Sequence, residues 1–299
     1  MKKWFKWAAV ALVALAVLAG GAVFAGLRLA DGKMQRKVEV AVQPVALRSD
    51  AQALERGKYL FSSRGCVDCH GANGAGKLFV DDPKSGVRIK GPNISPGPGS
   101  LVAQYQPADW VRAIRHGVAP SGRPLMIMPS EDYNRFTDDD LASLVAYVRA
   151  LPPAAGGPAE VSLPLPARVL YGFGAIQDAA AKIDHAKAAP QPVPEAVSLQ
   201  HGAYVANMCL GCHGPQLAGG RIPGGPPDWP PAADLRPGEG SGMAAYADPQ
   251  ALLKLFRTGK RADGSAVKVM PFESLKEMSD TDVKALHLYL QSLKPVAKG

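Results

Sequence analysis

Cysteine is scarce in this chain. Only four cysteines occur among 299 residues, and all four lie in two copies of the pattern C-x-x-C-H. None is left for a structural disulfide, a catalytic thiol or a further metal ligand, which excludes a secreted disulfide scaffold. A dithiol redox pair is disfavoured because a thioredoxin-like βαβ context is missing. A four-cysteine zinc site is disfavoured because the two pairs lie 143 residues apart.

Excess charge is also lacking outside the amino-terminal segment. The net charge is +8, of which the first 37 residues contribute +6 and the remaining 262 only +2. So small an excess predicts no nucleic-acid partner. Basic charge beside an apolar run is instead a signal of membrane orientation.

The amino-terminal segment contains 21 residues without a charge, from Trp7 to Leu27, which is enough to cross a membrane as one helix. Lysines 2, 3 and 6 predict that its start is cytoplasmic and that the rest of the chain faces the periplasm. We predict a membrane anchor or signal segment over residues 1–32 and a linker over residues 33–49. The alternative is a signal peptide cleaved near Val23-Phe24-Ala25, which would release the protein into the periplasm.

An internal repeat extends well beyond the two C-x-x-C-H motifs. Met128-Pro129 lies 58 residues after His70, and Met270-Pro271 lies 57 residues after His213. Each methionine is followed nine residues later by Thr or Ser, and nineteen residues later by Tyr. The chain therefore contains two copies of one domain.

We predict an all-α, loop-rich fold with a first domain over residues 50–152 and a second over residues 197–299. Each domain is expected to have a helix before the motif, a middle helix closed by glycine, and a last helix capped by Thr137 or Ser279. Residues 153–196, rich in Pro and Ala, form the interdomain connection. Its stretch 161–183 is apolar enough to pack against one of the domains.

The motif itself indicates haem attachment. Two thiols three positions apart can each add to a haem vinyl group, and the adjacent histidine is then held beneath the iron. The sequence thus predicts two covalently bound haem c groups, with covalent bonds to Cys66, Cys69, Cys209 and Cys212 and with His70 and His213 as proximal iron ligands.

The ligand on the other face of each iron is predicted to be Met128 or Met270, because only these methionines match in the repeat. A thioether raises the potential and closes the iron to substrate, which favours electron transfer over catalysis. The alternative is that both methionines merely pack. Met126 is a rival for Met128, whereas the unmatched Met208, Met243 and Met278 are expected to pack.

Other polar residues are interpreted conservatively. The four histidines without a repeat partner, at positions 116, 185, 201 and 287, are expected to be surface or helix residues. Four arginines, at positions 88, 112, 115 and 123, could pair with haem propionates, but solvated surface arginine is the simpler interpretation.

Each half resembles a class I cytochrome c domain, with C-x-x-C-H, an axial Met in a loop and a last helix bearing an aromatic. The first half is more particularly similar to the cytochrome c subunits of membrane-bound periplasmic alcohol and sugar dehydrogenases, through Gly91-Pro-Asn-Ile-Ser95 and Arg115-His-Gly-Val-Ala-Pro-Ser-Gly-Arg-Pro124. The resemblance implies that a proline carbonyl orients each proximal histidine, which points to Pro92 and to Pro231.

These features predict a dihaem c-type cytochrome that is no enzyme itself. It would carry electrons in the periplasm from a dehydrogenase or quinol-oxidising donor to a downstream cytochrome or terminal oxidase. A dihaem cytochrome c peroxidase is the main alternative, and it needs one iron with an openable sixth position. A thiosulfate-oxidising enzyme would need a fifth cysteine. A permanent subunit of a respiratory or dehydrogenase complex stays open as well.

Overall fold

The computed structural model describes residues 2–223, 225–226 and 228–295. Met1 of the predicted anchor and residues 296–299 of the predicted second domain lie outside the described residues.

The chain begins with a helix of 34 residues, α1 (Lys2–Gln35). It is about 51 Å long at the usual rise of a helix. It is the one helix among the described residues that is long and apolar enough to cross a membrane. Helix α1 continues three residues beyond the predicted segment 1–32. The positive charge of Lys33 in its last turn interacts favourably with the negative end of the helix dipole.

The first repeat contains five helices, whose ends follow from local sequence. Asp50 accepts a hydrogen bond from the backbone of Ala53 at the start of the first of them, and Thr137 accepts one from Asp140 at the start of the last. Gly117 ends the middle helix in the left-handed conformation that suits glycine. These helices are α2 (Ala51–Ser63), α3 (Cys66–His70), α4 (Pro107–His116), α5 (Ser130–Tyr133) and α6 (Asp138–Ala150).

A small sheet departs from the predicted all-α fold. Strands β1 (Leu78–Asp82) and β2 (Val87–Lys90) form an antiparallel hairpin, and β3 (Glu160–Ser162) from the connection pairs antiparallel with β2. The all-α prediction holds for most of the described chain but is wrong here. Strands of three to five residues carry too little periodic signal, and β3 needs a partner about 70 residues away.

The connection is structured in two further places. Helix α7 (Leu165–Phe173) packs against the carboxy-terminal part of α1, and α8 (Ala179–Lys182) packs against α5 of the first repeat. The expectation that this stretch packs against a domain therefore holds for α8 but not for α7.

The second repeat has the same helix order. Its elements are α9 (Leu199–Ala206), a 3-10 turn (Asn207–Cys209), α10 (Leu210–His213), α11 (Pro249–Thr258), α12 (Phe272–Leu275) and α13 (Asp280–Ser292). Ser198 and Ser279 cap α9 and α13 as Asp50 and Thr137 cap their counterparts.

Each repeat has its own core, built around the crossing of its first and last helices. A Cβ at Gly57 would collide with the carbonyl oxygen of Ser143, and one at Gly202 with that of Ala285. Only glycine allows these backbones to approach so closely. Leu60 and Leu141 are fully buried in the first core, as Val283 is in the second.

Candidate functional site

The first C-x-x-C-H motif lies on the single helical turn α3, and the second runs from the end of the 3-10 turn into α10. In α3, Gly65 precedes Cys66 with a φ of 87° and Gly71 follows His70 with a φ of 72°. One turn of helix places residues three apart on the same face. The two cysteines of each motif therefore share a face, with the histidine next to the second of them.

The ring of His70 is oriented by the backbone. Its Nδ1 lies 3.0 Å from the carbonyl oxygen of Pro92, which can only accept, so Nδ1 carries the proton and the Nε2 lone pair is left to bind a metal. Burial lowers the pKa of His70, which favours the neutral, ligating form. A Cβ at Gly91 would collide with the Cys69 carbonyl, so glycine is needed to bring the Pro92 carbonyl this close.

The second repeat orients its histidine with a different residue. The Nδ1 of His213 lies 2.7 Å from the carbonyl oxygen of Ala233, so the expectation for Pro231 is wrong. Backbone hydrogen bonds between Gly220 and Ala232 fix the chain crossing here, and Gly219 makes a close approach to Ala233. The search for a proline in the sequence could not identify this acceptor, because the backbone carbonyl of any residue can accept the hydrogen bond.

The cysteines are thiols of high pKa. Burial is the largest cause, and it raises the pKa of Cys66, Cys69 and Cys209 to about 12. A disulfide oxidoreductase instead needs a lowered thiol pKa. The raised thiol pKa values disfavour a redox dithiol at either motif.

The two matched methionines have the same local geometry. Met128 packs against the core that also contacts Cys66, and Met270 packs against the core that also contacts Cys209. The proline after each has nearly the same backbone angles, φ −80° and ψ 63° for Pro129 and φ −78° and ψ 65° for Pro271. In both loops the methionine carbonyl accepts a 2.9 Å hydrogen bond from the second residue after it.

The remaining candidates behave as packing or paired residues. Met243 and Met278 are buried in the second core. His287 Nε2 lies 2.8 Å from the Tyr246 carbonyl. Arg88 pairs with Asp81 and Glu160 on the small sheet, and Arg112 pairs with Asp109.

The donor set of each repeat fits haem c. Two thiols on one helical face, an imidazole with Nε2 available, and a thioether in a loop on the same core are the groups that this cofactor uses. In the described part of the chain, no cluster of three or more His, Cys, Asp or Glu side chains could hold a metal ion directly. A zinc site built from all four cysteines is therefore not formed there.

Sequence reasoning missed the contact surface between the two repeats. Helix α3 packs against α12, and the turn preceding α10 packs against α5. Each C-x-x-C-H helix thus contacts the short helix that follows the other repeat's matched methionine. The Ser274 hydroxyl lies 2.7 Å from Asp68, and the Gly211 N–H donates to Asp132 at 2.7 Å.

A network of buried charges extends this interface. Asp282, fully buried in α13, accepts hydrogen bonds from Tyr59 and Arg64 of the first repeat and lies 2.6 Å from His201 of its own. At the matching place, Asp140 accepts from Tyr204 of the second repeat and pairs with Arg56. One sequence feature could have indicated this network: each tyrosine follows the glycine of the helix crossing by two positions, Tyr59 after Gly57 and Tyr204 after Gly202.

Both repeats match a known protein family. Residues 54–152 and residues 201–294 each match the cytochrome c family. These stretches cover more than half of the chain, and this protein therefore belongs to the cytochrome c family. The resemblance to cytochrome c domains is confirmed, and membership implies covalently bound haem c.

The curated relatives are cytochrome subunits of dehydrogenases. The chain is 28% identical over 281 residues to the fructose dehydrogenase cytochrome subunit of Gluconobacter japonicus, covering 86% of this chain and 56% of that protein. It is 27% identical over 270 residues to the gluconate 2-dehydrogenase cytochrome c subunit of Pantoea cypripedii, with coverage of 80% and 59%. It is 28% identical over 274 residues to the cytochrome c subunit of alcohol dehydrogenase (quinone) from Komagataeibacter europaeus, with coverage of 83% and 57%. The chain thus spans less than two thirds of the length of these relatives.

Proposed function

We propose that this chain is a membrane-anchored c-type cytochrome with two covalently bound haem c groups. It carries electrons in the periplasm from a dehydrogenase or quinol-oxidising donor to a downstream cytochrome or terminal oxidase. It serves as a redox subunit rather than as an enzyme. The relatives support this role, because their names describe cytochrome subunits of dehydrogenases.

The proposed organisation has five parts. Residues 1–32 begin the anchor and residues 33–49 lead from it. Residues 50–152 form the first haem domain, residues 153–196 the connection and residues 197–299 the second haem domain. Two separate cores, each with its own C-x-x-C-H turn and matched methionine, support this division.

The contact between the two repeats is the single observation that carries the proposal. Each haem-attachment helix packs against the other repeat rather than facing solvent on all sides. Polar contacts such as Asp68 to Ser274, and the buried pair of Arg64 with Asp282, hold the repeats in one arrangement. A fixed contact at both proposed attachment sites would favour electron exchange between the two haems of one chain.

The residues around each site prepare it for electron transfer. Pro92 and Ala233 orient the proximal histidines, and Met128 and Met270, which pack against the cores that contact Cys66 and Cys209, would supply the sixth ligand of each iron. When bound, haem c supplies an iron that gains or loses one electron. Because both repeats offer a methionine in the same geometry, both irons would be closed, which disfavours peroxidase chemistry because that chemistry requires an open iron.

The test begins with the full chain, purified in mild detergent after expression with haem attachment. We expect two haems per chain, and one in the variant Cys66→Ala/Cys69→Ala. Both irons should be low-spin, and the oxidised protein should show the charge-transfer band of a thioether on iron. A single haem per chain, or turnover of hydrogen peroxide by the purified protein, would contradict the proposal.

Partner identity needs a second experiment. The chain should co-purify from native membranes with its electron donor or acceptor, and addition of that donor's substrate should reduce both haems. A matched control is the variant without Cys66 and Cys69, which should retain the partner but accept fewer electrons.

A further inference from the structure

Helix α7 of the connection returns to the anchor helix. A Cβ at Gly26 would lie 2.9 Å from the side chains of both Val169 and Phe173, and one at Gly172 would collide with the Gly26 carbonyl. Two glycines at one crossing allow the backbones to touch. This contact is therefore a specific helix pair and not a loose approach.

The position of the crossing along α1 sets its depth. Gly26 is the second-last residue of the uncharged run from Trp7 to Leu27. A run of about 20 residues fills the hydrocarbon core of a membrane, which is about 30 Å thick. The crossing thus lies at the periplasmic edge of that core, and Val169 and Phe173 lie there too.

The polar contacts between α7 and α1 all lie on the periplasmic side of Gly26. Arg168 pairs with Asp31 at 2.8 Å, and Lys33 donates to the Tyr171 carbonyl at 3.2 Å. Just beyond α7, Asp178 accepts two 2.7 Å hydrogen bonds from Arg36. Asp31, Lys33 and Arg36 follow the uncharged run and form these contacts with α7 and Asp178. They lie at the level expected for lipid headgroups.

Helix α7 also carries exposed apolar side chains beside its contact with α1. Leu165, Leu170 and Phe173 are 53%, 47% and 56% exposed. Phe173 joins these side chains to the uncharged run of α1, because its exposed ring also lies against Gly26 at the crossing. An apolar helix side that continues the surface of a membrane span, at the depth of the membrane boundary, fits lipid.

We propose that α7 is a second membrane contact, lying at the boundary between headgroups and acyl chains of the periplasmic leaflet. This inference rests on the proposed membrane anchoring of α1. The occupant of this exposed apolar surface of α7 is phospholipid, because Phe173 joins it to the uncharged run of α1 at the membrane boundary.

The consequence is a fixed orientation of the first repeat. The chain leaving α1 binds one side of the loop that precedes Met128, with the Val38 N–H 2.9 Å from the Gly122 carbonyl. The chain leaving α7 binds the start of that loop, where Ala179 packs on Gly117, and Lys182 pairs with Glu131 at 2.6 Å. Two connections from one membrane-bound helix pair hold this loop towards the membrane.

The test uses nitroxide labels on the full haem-containing chain in vesicles of phosphatidylcholine and phosphatidylglycerol. Single cysteines are introduced as Leu170→Cys and Leu165→Cys in α7. Leu18→Cys in α1 controls for the anchor, and Leu288→Cys, an exposed leucine of α13, controls for water exposure. Collisions with oxygen and with a water-soluble nickel chelate are then measured for each label.

We expect the ratio of oxygen to nickel collisions at both α7 labels to be at least about fivefold that at Leu288, because oxygen concentrates in acyl chains and the chelate is excluded from them. A ratio at α7 equal to that at Leu288, with Leu18 in lipid, would overturn the inference and leave the proposed anchor standing. If the label at Leu18 is absent from the mature protein, or if it is exposed to water, the proposed membrane anchoring of α1 is overturned. An α7 label that is open to water in vesicles but shielded from both reagents in native membranes would assign the surface to a partner protein and overturn the inference.

Discussion

Tyr59 and Tyr204 occupy equivalent positions in the two repeats, and each donates a 2.6 Å hydrogen bond to an aspartate of the other repeat. Tyr59 binds Asp282 and Tyr204 binds Asp140. Each hydroxyl also accepts from the backbone N–H of the residue that caps the partner's last helix. The interface therefore has approximate twofold symmetry. A tyrosine of each repeat makes the same hydrogen bonds to the other repeat.

The two tyrosines can be tested by removing only their hydroxyl groups. We expect Tyr59→Phe to lower the free energy of unfolding by about 1.5–3 kcal/mol, the usual worth of a hydrogen bond to a charged group. Tyr204→Phe should cost less, because Asp140 is less buried than Asp282. Urea unfolding measures both, with Tyr147→Phe as control, since its hydroxyl makes no hydrogen bond to the described residues. Equal effects of all three variants would contradict the role of the interface.

The ion pair between Arg64 and Asp282 joins the repeats through fully desolvated groups. Arg64→Met leaves the buried carboxylate without its cation, and loss of one partner of such a pair costs about 3–5 kcal/mol. Arg88→Met removes an exposed pair and should cost less than about 1 kcal/mol. The double variant Arg64→Met/Asp282→Leu should recover part of the loss seen in urea unfolding. Haem content is measured in parallel, because Arg64 lies two residues from Cys66.

Acid should weaken the same interface. Burial alone would raise the pKa of Asp282, but the charge of Arg64, with hydrogen bonds from His201 and Tyr59, holds it well below its usual value. The carboxyl titrates near 3.9 in the unfolded chain. Its contribution to stability is thus complete above about pH 3.9 and is lost as the pH falls further towards the folded pKa. Unfolding followed by circular dichroism should show this loss in the wild type and a flatter profile in Asp282→Asn.

Met128 and Met126 allow a matched test of the proposed axial ligand of the first haem. Met128→Ala should open one iron and remove about half of the thioether charge-transfer band of the oxidised protein, since one of two haems is affected. Met126→Ala should leave the band unchanged. The reverse result would assign Met126 as the ligand, and no change in either variant would mean that neither sulfur binds iron.

A histidine pair holds the connection to the first repeat. The Nδ1 atoms of His116 and His185 lie 3.0 Å apart, so one ring must be deprotonated there to accept. Burial first, then His185 and the nearby Arg115 and Arg112, lower the pKa of His116 to about 4. The unfolded chain binds a proton near pH 6.5, so stability falls as the pH drops from about 6.5 towards 4.

Hydrogen exchange can locate this loss. Peptides from residues 178–188 should lose protection at pH 5 relative to pH 7, after correction for the intrinsic pH dependence of exchange. Peptides from α13 serve as an internal reference. The His116→Gln variant should show the same protection at both pH values. Unchanged protection in the wild type would show that the pair does not hold this segment.

Several features of this protein follow from local sequence. The C-x-x-C-H turns, the matched Met-Pro pairs and the capping residues Asp50, Thr137, Ser198 and Ser279 depend only on near neighbours in the chain. The predicted helices around them are present because capping and helical spacing act over a few residues.

The tertiary structure decided what depends on residues far apart in the chain. The carbonyl that orients His213 belongs to Ala233 and not to Pro231, because backbone position and not residue type supplies that acceptor. Strand β3 exists only through its pairing with β2, and α7 lies on α1 because two distant glycines meet there. Arg64 and Asp282 are 218 residues apart in the chain. Each can be buried as a charged group only because it forms an ion pair with the other. Sequence alone thus determined the C-x-x-C-H units, whereas long-range packing decided how they face each other and helix α1.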